Sequence, residues 1–426
     1  MAWDFSTEPD FEEKLEWMRA FVREELYPLE TLDLTWEQFL RVIEPLKDKV
    51  KEAGLWGAHL SPELGGQGFG QVKLGLMHEI LGACDFGPHV FGNQAPDSGN
   101  SELIALAGTE EQKERWLHPM LEGRVYSAFS MTEPGTGSDP RQFTTRAVRD
   151  GDGWVIDGHK WFVSNASRSQ FHIVVAVTDP DVHPYEGMSM FIVPTDTPGI
   201  ELRELGTLND PEGTWAVHNQ AEVFYRGVRV PAGSLLGREG EAFVLAQQRL
   251  GPGRIHHCMR WLGVSRRAFD MLCERAVSTS LDGGPLAGKQ TIQNWVADSA
   301  AEMEAARLMT LQAAWKIDRL GTREARVDIA MIKYFGARIL HDVIDRAIQI
   351  HGSLGFSTDL PLEHMYRWAR AARIYDGPDE VHRIAVARAI LKGYKPVTIP
   401  TEHIPTRREA ARRRFAGVLD ELSANL

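Results

Sequence analysis

The hydrophobic pattern of this 426-residue chain changes period twice, and that double change restricts the fold more than any single motif. Up to Arg124 the apolar positions recur as they do on helices. Phe11, Leu15, Met18, Val22 and Leu26 form one stripe at spacings of four, three, four and four residues. Ser6-Thr7 followed by Glu8-Pro9-Asp10 supplies a helix start, and Pro28 closes the stripe. Further helical stretches are expected over 36–53, 72–82 and 110–121. From Val125 the period drops to that of strands, with short β-rich runs at 125–131, 154–157, 160–164, 172–177, 189–194 and 221–225. Asp157-Gly158 between two of these runs signals a hairpin. From Glu241 the helical period returns, over 242–278, 285–319, 324–350, 361–370 and 381–391. The expected fold is therefore α+β and multidomain. It has an N-terminal α-helical domain (1–124), a middle antiparallel β-barrel or sandwich domain (125–240), a C-terminal four-helix bundle (241–395) and a tail (396–426).

Composition excludes several functions. A formal net charge of −12 argues against a nucleic-acid partner, and the basic run Arg407-Arg408 with Arg412-Arg413-Arg414 reads as a solvated helix face. The three cysteines, Cys84, Cys258 and Cys273, contain no C-x-x-C, so neither a disulfide framework nor a zinc site is expected and a reducing compartment is. Met1-Ala2-Trp3-Asp4 lacks the basic and apolar regions of a signal peptide. No apolar run approaches the ~20 residues that span a bilayer. The expectation is a soluble cytoplasmic protein without membrane or metal.

Several stretches carry chemistry. The glycine-rich segment Pro62-Glu63-Leu64-Gly65-Gly66-Gln67-Gly68-Phe69-Gly70 follows no strand and lacks the G-x-G-x-x-G spacing, so it reads as a turn between closely packed helices. Phe129-Ser130-Met131-Thr132-Glu133-Pro134-Gly135-Thr136-Gly137-Ser138-Asp139 takes a strand into a turn, read either as amides and hydroxyls free to meet a polar ligand or as a tight loop that satisfies its own hydroxyls. His159-Lys160-Trp161-Phe162-Val163-Ser164-Asn165-Ala166 forms a second run, and Gln349-Ile350-His351-Gly352-Ser353-Leu354-Gly355-Phe356 a third. In Ile374-Tyr375-Asp376-Gly377-Pro378-Asp379-Glu380-Val381-His382-Arg383, Asp376 sits on a Gly-Pro turn between two helical patterns, the place for a positioned base. Asp379 is better placed than Asp376 to cap the helix that follows. Gly251-Pro252-Gly253-Arg254-Ile255-His256-His257-Cys258 interrupts the start of the first bundle helix. Adjacent histidines point apart on a helix, so this run reads as packing with a polar face.

In combination and order, over about residues 5–395, these segments resemble the acyl-CoA dehydrogenase family. The Gly251–Cys258 run and the Asp376 loop are similar to the branch that in some organisms is fused to a kinase-like domain. The resemblance implies FAD as cofactor. Phe129, Met131 and Thr132 would line the isoalloxazine, Gly137 and Ser138 would lie by the pyrophosphate and the CoA chain, and Phe162 would cover the ring face. Ser164 would place its hydroxyl at the flavin N5. Gln290, Gln349 and Gly352 would hold the adenosine half across a subunit boundary, which implies a homodimer or homotetramer. Thr279, Asp282, Ser353 and Pro378 depart from the family pattern on that side. Asp376 would be the base, where the family usually has glutamate. The alternative location corresponds to Gln248, which cannot accept a proton. Arg249, Tyr375 and Gly377, with Ser138, would meet the substrate.

The implied reaction is the oxidation of an acyl-CoA to a 2,3-enoyl-CoA, as in fatty acid β-oxidation, with electrons passing to electron-transfer flavoprotein. Aspartate is one methylene shorter than glutamate, about 1.5 Å of reach, and exclusion of water is expected to raise its pKa from about 3.9. Two alternatives stay open: a flavin oxidase on the same scaffold, acting on acyl-CoA or nitroalkanes, and a catalytically silent interaction scaffold.

Overall fold

The structure, a computed structural model, describes residues 7–64, 66–208, 210, 219–398 and 404–424. The first six residues, Gly65 of the glycine-rich segment and Pro400 of the tail lie outside them. The chain divides into two compact units, Met1–Arg383 and Ile384–Leu426.

In the first unit, helices α1 (Pro9–Phe21), α2 (Trp36–Glu52), α3 (Gly70–Leu81) and α4 (Asp97–Ala107) come first. The stripe Phe11, Leu15, Met18, Val22 and Leu26 is buried throughout, against Phe39, Ile43, Val50 and Phe91. Thr35 starts α2 with a capping box: its hydroxyl accepts from the Gln38 amide at 3.3 Å, and the Gln38 side chain accepts from the Thr35 amide at 2.9 Å. In the glycine-rich segment, Gly68 and Gly70 have φ of 62° and 79°. A Cβ on Gly66 would come within 2.1 Å of the Leu60 carbonyl oxygen, so the segment is a tight turn that excludes side chains.

The middle of the chain forms one eight-stranded sheet. Its strands are β1 (Ser127–Ser130), β2 (Arg146–Asp150), β3 (Gly153–Ser164), β4 (Phe171–Val177), β5 (Met188–Pro194), β6 (Ile200–Glu204), β7 (Gln220–Pro231) and β8 (Leu235–Leu236). They run in the order β6-β7-β3-β2-β4-β5-β8, with β1 beside β4. Pairing is antiparallel except where β4 runs parallel to β1 and meets β2 at Arg146–Val177. The apolar run of β4 has no polar face because both sides are covered. Phe171, Ile173 and Val175 pack with Leu103, Leu117 and Leu245, while Val174 and Ala176 pack with Phe191, Val193 and Val223.

One expectation fails here. Asp157-Gly158 is not a hairpin: β3 runs unbroken through it, with a register shift between Ile156 and Gly158. The glycine serves close packing, since a Cβ on Gly158 would come within 2.3 Å of the Thr145 hydroxyl oxygen. The turn lies earlier, between Asp150 and Gly153, where Gly151 has φ 62°.

The bundle follows: α5 (Ala242–Ser278), α6 (Gln290–Leu320), α7 (Arg326–His351), α8 (Leu362–Ala371) and α9 (Asp379–Leu391), whose last turns belong to the second unit. Gly251-Pro252-Gly253 does not interrupt α5, which continues through Pro252. Tertiary packing outweighs the lost backbone bond. Gly251 lies so close to Thr322 that a Cβ would reach its Cγ2 at 2.3 Å, and Ile255, Cys258 and Met259 enter the bundle core. The second unit also holds α10 (Ile404–Arg414) and α11 (Ala416–Ala424), with Arg407, Arg408 and Arg412 to Arg414 exposed. Among the described residues no helix is long and apolar enough to cross a membrane.

Candidate active site

The first two motif segments are held together by an ion pair that spacing alone does not reveal. Lys160 on β3 is fully buried, and its Nζ donates to the Met131 carbonyl at 2.8 Å and to Glu133 Oε1 at 2.9 Å. The Glu133 carboxylate also accepts from the Thr144 amide, the Thr144 hydroxyl and the Thr145 amide. Burial pushes the Glu133 carboxyl up, but the Lys160 charge and these donors outweigh it and hold it at about 2. Burial lowers Lys160 to about 8 against the pull of Glu133, so both are charged at pH 7. The Trp161 amide adds a bond to the Thr132 carbonyl at 3.0 Å, completing the clamp of β3 onto the loop after β1. Lys160 shares alternation parity with buried Trp154 and Ile156, the one sequence signal that could have found it.

Beyond the clamp the two segments present exposed polar groups. Thr132, Gly137 and Ser138 are open to solvent, and Cβ atoms added to Gly135 or Gly137, at φ 80° and 57°, would meet nothing within 4 Å. Phe162 is held at φ 50° with half of its surface bare, edge-on to Trp161 at 5.0 Å. The Ser164 hydroxyl accepts from Gln220 Nε2 at 2.8 Å, which leaves its own proton free to donate outward. An open cradle of amides and hydroxyls beside a bare aromatic ring fits a flavin.

Asp376 lies where the bundle meets this region. Its φ of 54° and the 97° of Gly377 are left-handed, a strained path for aspartate, and side chains from three helices pin it. Arg254 on α5 donates Nε and Nη2 to the Asp376 carbonyl at 3.1 and 3.0 Å, and His382 Nε2 approaches the same oxygen at 3.1 Å. Lys333 on α7 donates to the carbonyls of Ala372 (2.7 Å) and Gly377 (3.3 Å). With the backbone thus held, the carboxylate meets His257, whose Nε2 lies 3.2 Å from Oδ2. Beside it Tyr375 accepts from Trp261 Nε1 at 2.8 Å. Arg249 links the two halves: its guanidinium stacks 4.2 Å from the Phe129 ring, and Nε donates to Asn100 Oδ1 at 3.2 Å.

The charge state of Asp376 differs from the sequence expectation. Burial does push its carboxyl up, but the His257 hydrogen bond and the charges of His257, Arg254 and Arg249 outweigh it. The group is held well below the usual carboxylate range. Burial in turn lowers His257, only partly offset by Asp376. The histidine pair also does more than pack. His256 turns to Gln71 Oε1 (3.0 Å) and stacks on His78 at 4.3 Å, while His257 turns to Asp376. Gln248, the alternative base location, is exposed. Asp379 is the first residue of α9 rather than its cap. Its carboxylate pairs with Arg373 at 2.8 Å and Arg383 at 3.6 Å.

Gln290 and Gln349 are exposed, at the start of α6 and near the end of α7. Arg346 of α7 bonds Ser299 and Glu302 of α6 at 2.9 and 3.0 Å, so these two helix ends lie at the same end of an antiparallel pair. Gly352, at φ 60°, ends α7 there. Thr279 and Asp282 flank a two-residue ribbon, Ser280–Leu281 with Gly284–Pro285, that leads into α6.

Comparison with known proteins fits this arrangement. The acyl-CoA dehydrogenase N-terminal domain matches residues 8–124, the middle domain 128–215 and the C-terminal domain 240–391. The probable acyl-CoA dehydrogenase FadE2 of Mycobacterium tuberculosis is 45% identical, over 83% of this chain and 86% of that protein. The chain belongs to the acyl-CoA dehydrogenase family.

The acyl-CoA dehydrogenase family member 11 of Rattus norvegicus is 43% identical over 84% of this chain, which spans about half (46%) of that longer relative. Among solved structures, a putative acyl-CoA dehydrogenase from Mycobacterium abscessus superposes at a TM-score of 0.86, with 36% identity over 92% of this chain and all of that one. Butyryl-CoA dehydrogenase from Megasphaera elsdenii superposes at 0.78, with 28% identity over 91% of this chain and all of that one. The chain is thus an oxidoreductase-family flavoprotein with FAD as its cofactor.

Proposed function

We propose that this protein is an FAD-dependent acyl-CoA dehydrogenase acting on the CH–CH group of a CoA thioester, with Asp376 as the base. The observation that carries it is a pinned carboxylate at 376 within the field of the Arg249 charge, whose guanidinium lies over Phe129 on the strand that leads into the flavin cradle. Bound FAD supplies the acceptor for the β-hydride. The chain's own groups do the rest. Asp376 takes the α-proton, the Cα–H electron pair becomes the new C=C, and a 2,3-enoyl thioester leaves. Thr132 and Ser164 supply fixed donors toward the ring edge, and Phe162 covers its face. Ser138, Arg249, Tyr375 and Gly377 line the path of the thioester. Gln290, Gln349 and Gly352 hold the adenosine half of a neighbouring subunit's FAD in a homo-oligomer, and electron-transfer flavoprotein takes up the electrons.

Anaerobic mixing of the yellow holoenzyme with a panel of acyl-CoAs tests this reading. Wild type is expected to bleach with at least one thioester. Asp376→Asn is expected to keep its flavin and lose about 10²–10⁴-fold in reduction rate, the usual worth of a positioned base. Retained bleaching removes Asp376 from the mechanism. The aspartate itself favours one second reading, a flavin oxidase, and fast reoxidation by oxygen with peroxide release would establish it. A protein that binds no FAD would be a scaffold.

A further inference from the structure

We infer that His257 is the positioning residue for Asp376: its Nε2–H donates to Oδ2 at 3.2 Å, holding the carboxylate ionised and aiming its other oxygen at the substrate. The inference deepens the dehydrogenase reading and rests on it for the identity of the proton donor. An ionised carboxylate only accepts, so the contact requires the proton on Nε2. The other groups about the site bond elsewhere. Arg254 and His382 are spent on the Asp376 carbonyl oxygen, and Lys333 on two other carbonyls of the loop. From α5, Arg249 lies over Phe129, and Cys258 and Arg260 are further neighbours in charge; Tyr375 binds Trp261, and Asp379 binds Arg373.

The imidazole is itself fixed. It lies 4.9 Å from the Tyr375 ring and stacks with Trp261 at 6.3 Å, two residues tied to each other by the indole hydrogen bond. His257 therefore cannot swing away without repacking the bundle. When the α-proton arrives, Cα–H breaks and Oδ1–H forms, while Oδ2 keeps its bond from Nε2. No proton leaves the pair in that step. The device also suits the shorter acid, because a two-torsion side chain with one oxygen anchored has a single direction left for the other.

The test compares His257→Phe, which keeps a ring and loses the donor, with His257→Gln, whose amide nitrogen reaches the place of Nε2. Two measurements on flavin-loaded protein are read. In the first, the acid limb of flavin reduction by a bleaching acyl-CoA is expected to move up by about one to two pH units in His257→Phe, the size of one charge-assisted hydrogen bond. His257→Gln is expected to bring it back. An unmoved limb in His257→Phe, or one displaced equally in His257→Gln, overturns the inference. The second measurement needs no substrate: the infrared band of the protonated carboxyl, assigned by its loss in Asp376→Asn. As the pH is lowered, it is expected to appear at a pH about one to two units higher in His257→Phe than in wild type or His257→Gln, and a band that appears at the same pH in flavin-loaded His257→Phe as in wild type overturns the inference. Should His257→Phe fail to fold, His257→Asn, too short to reach Oδ2, takes its place. Should no thioester bleach wild type, the dehydrogenase reading fails while the infrared result still decides the pair.

Discussion

Replacing Lys160 by methionine keeps most of the side-chain length and removes the cation that joins the first two motif segments. The intact pair is close to break-even as a source of stability. The fall of Glu133 from 4.5 to about 2 contributes about 3 kcal/mol, present above pH 4.5 and lost as pH drops toward 2. The fall of Lys160 from 10.5 to about 8 costs a similar amount below pH 8, relieved as pH rises toward 10.5. Breaking the pair is another matter, because Glu133 would stay buried with its charge uncompensated. The expected loss is about 3–5 kcal/mol. If Met1–Arg383 unfolds as one unit, that corresponds to a drop of about 4–6 °C in the transition that releases FAD. Glu133→Gln in the Lys160→Met background removes the orphaned charge and should recover about half of the loss. Without Lys160, burial raises Glu133 above its unfolded value, so its penalty shrinks as pH falls. The gap to wild type should therefore narrow between pH 7 and pH 5. Thermal unfolding followed by flavin fluorescence at both pH values measures this. Equal losses in single and double variants, or a gap that ignores pH, would refute the reasoning.

Three further outcomes are expected. Ser164→Ala should keep FAD and slow anaerobic reduction about 2–12-fold, the worth of one neutral hydrogen bond of about 0.5–1.5 kcal/mol; an unchanged stopped-flow rate would mean the hydroxyl does not reach the flavin. Gly158→Ala should destabilise by about 1–3 kcal/mol in urea unfolding, because its methyl would enter the space of the Thr145 side chain. Thr35→Ala should lose about 0.5–2 kcal/mol by removing the α2 cap while leaving flavin reduction untouched.

Some of the structure was legible because local periodicity reports burial directly. A stripe such as Phe11, Leu15, Met18 is sufficient to identify a helix and its inner face. The span 242–278 matches α5, although Pro252 was read as a break. Gly158 was misread for a complementary reason. Glycine marks both turns and close approaches, and only the position of Thr145 distinguishes them. Asp376 stood out by its turn chemistry, but its low pKa did not, because burial alone predicts the opposite sign and the deciding partners lie on another helix.

The α–β–α order, the polar turn that follows a strand at Phe129–Asp139 and an acid on a Gly-Pro turn follow from the sequence by itself, since each is written in residues a few positions apart. The tertiary structure alone decided what holds them. Lys160 reaches Met131 across 29 positions, and Arg254 reaches Asp376 across 122. Such pairs obey no spacing rule, because their meeting depends on how sheet and bundle pack, and that depends on the whole core at once.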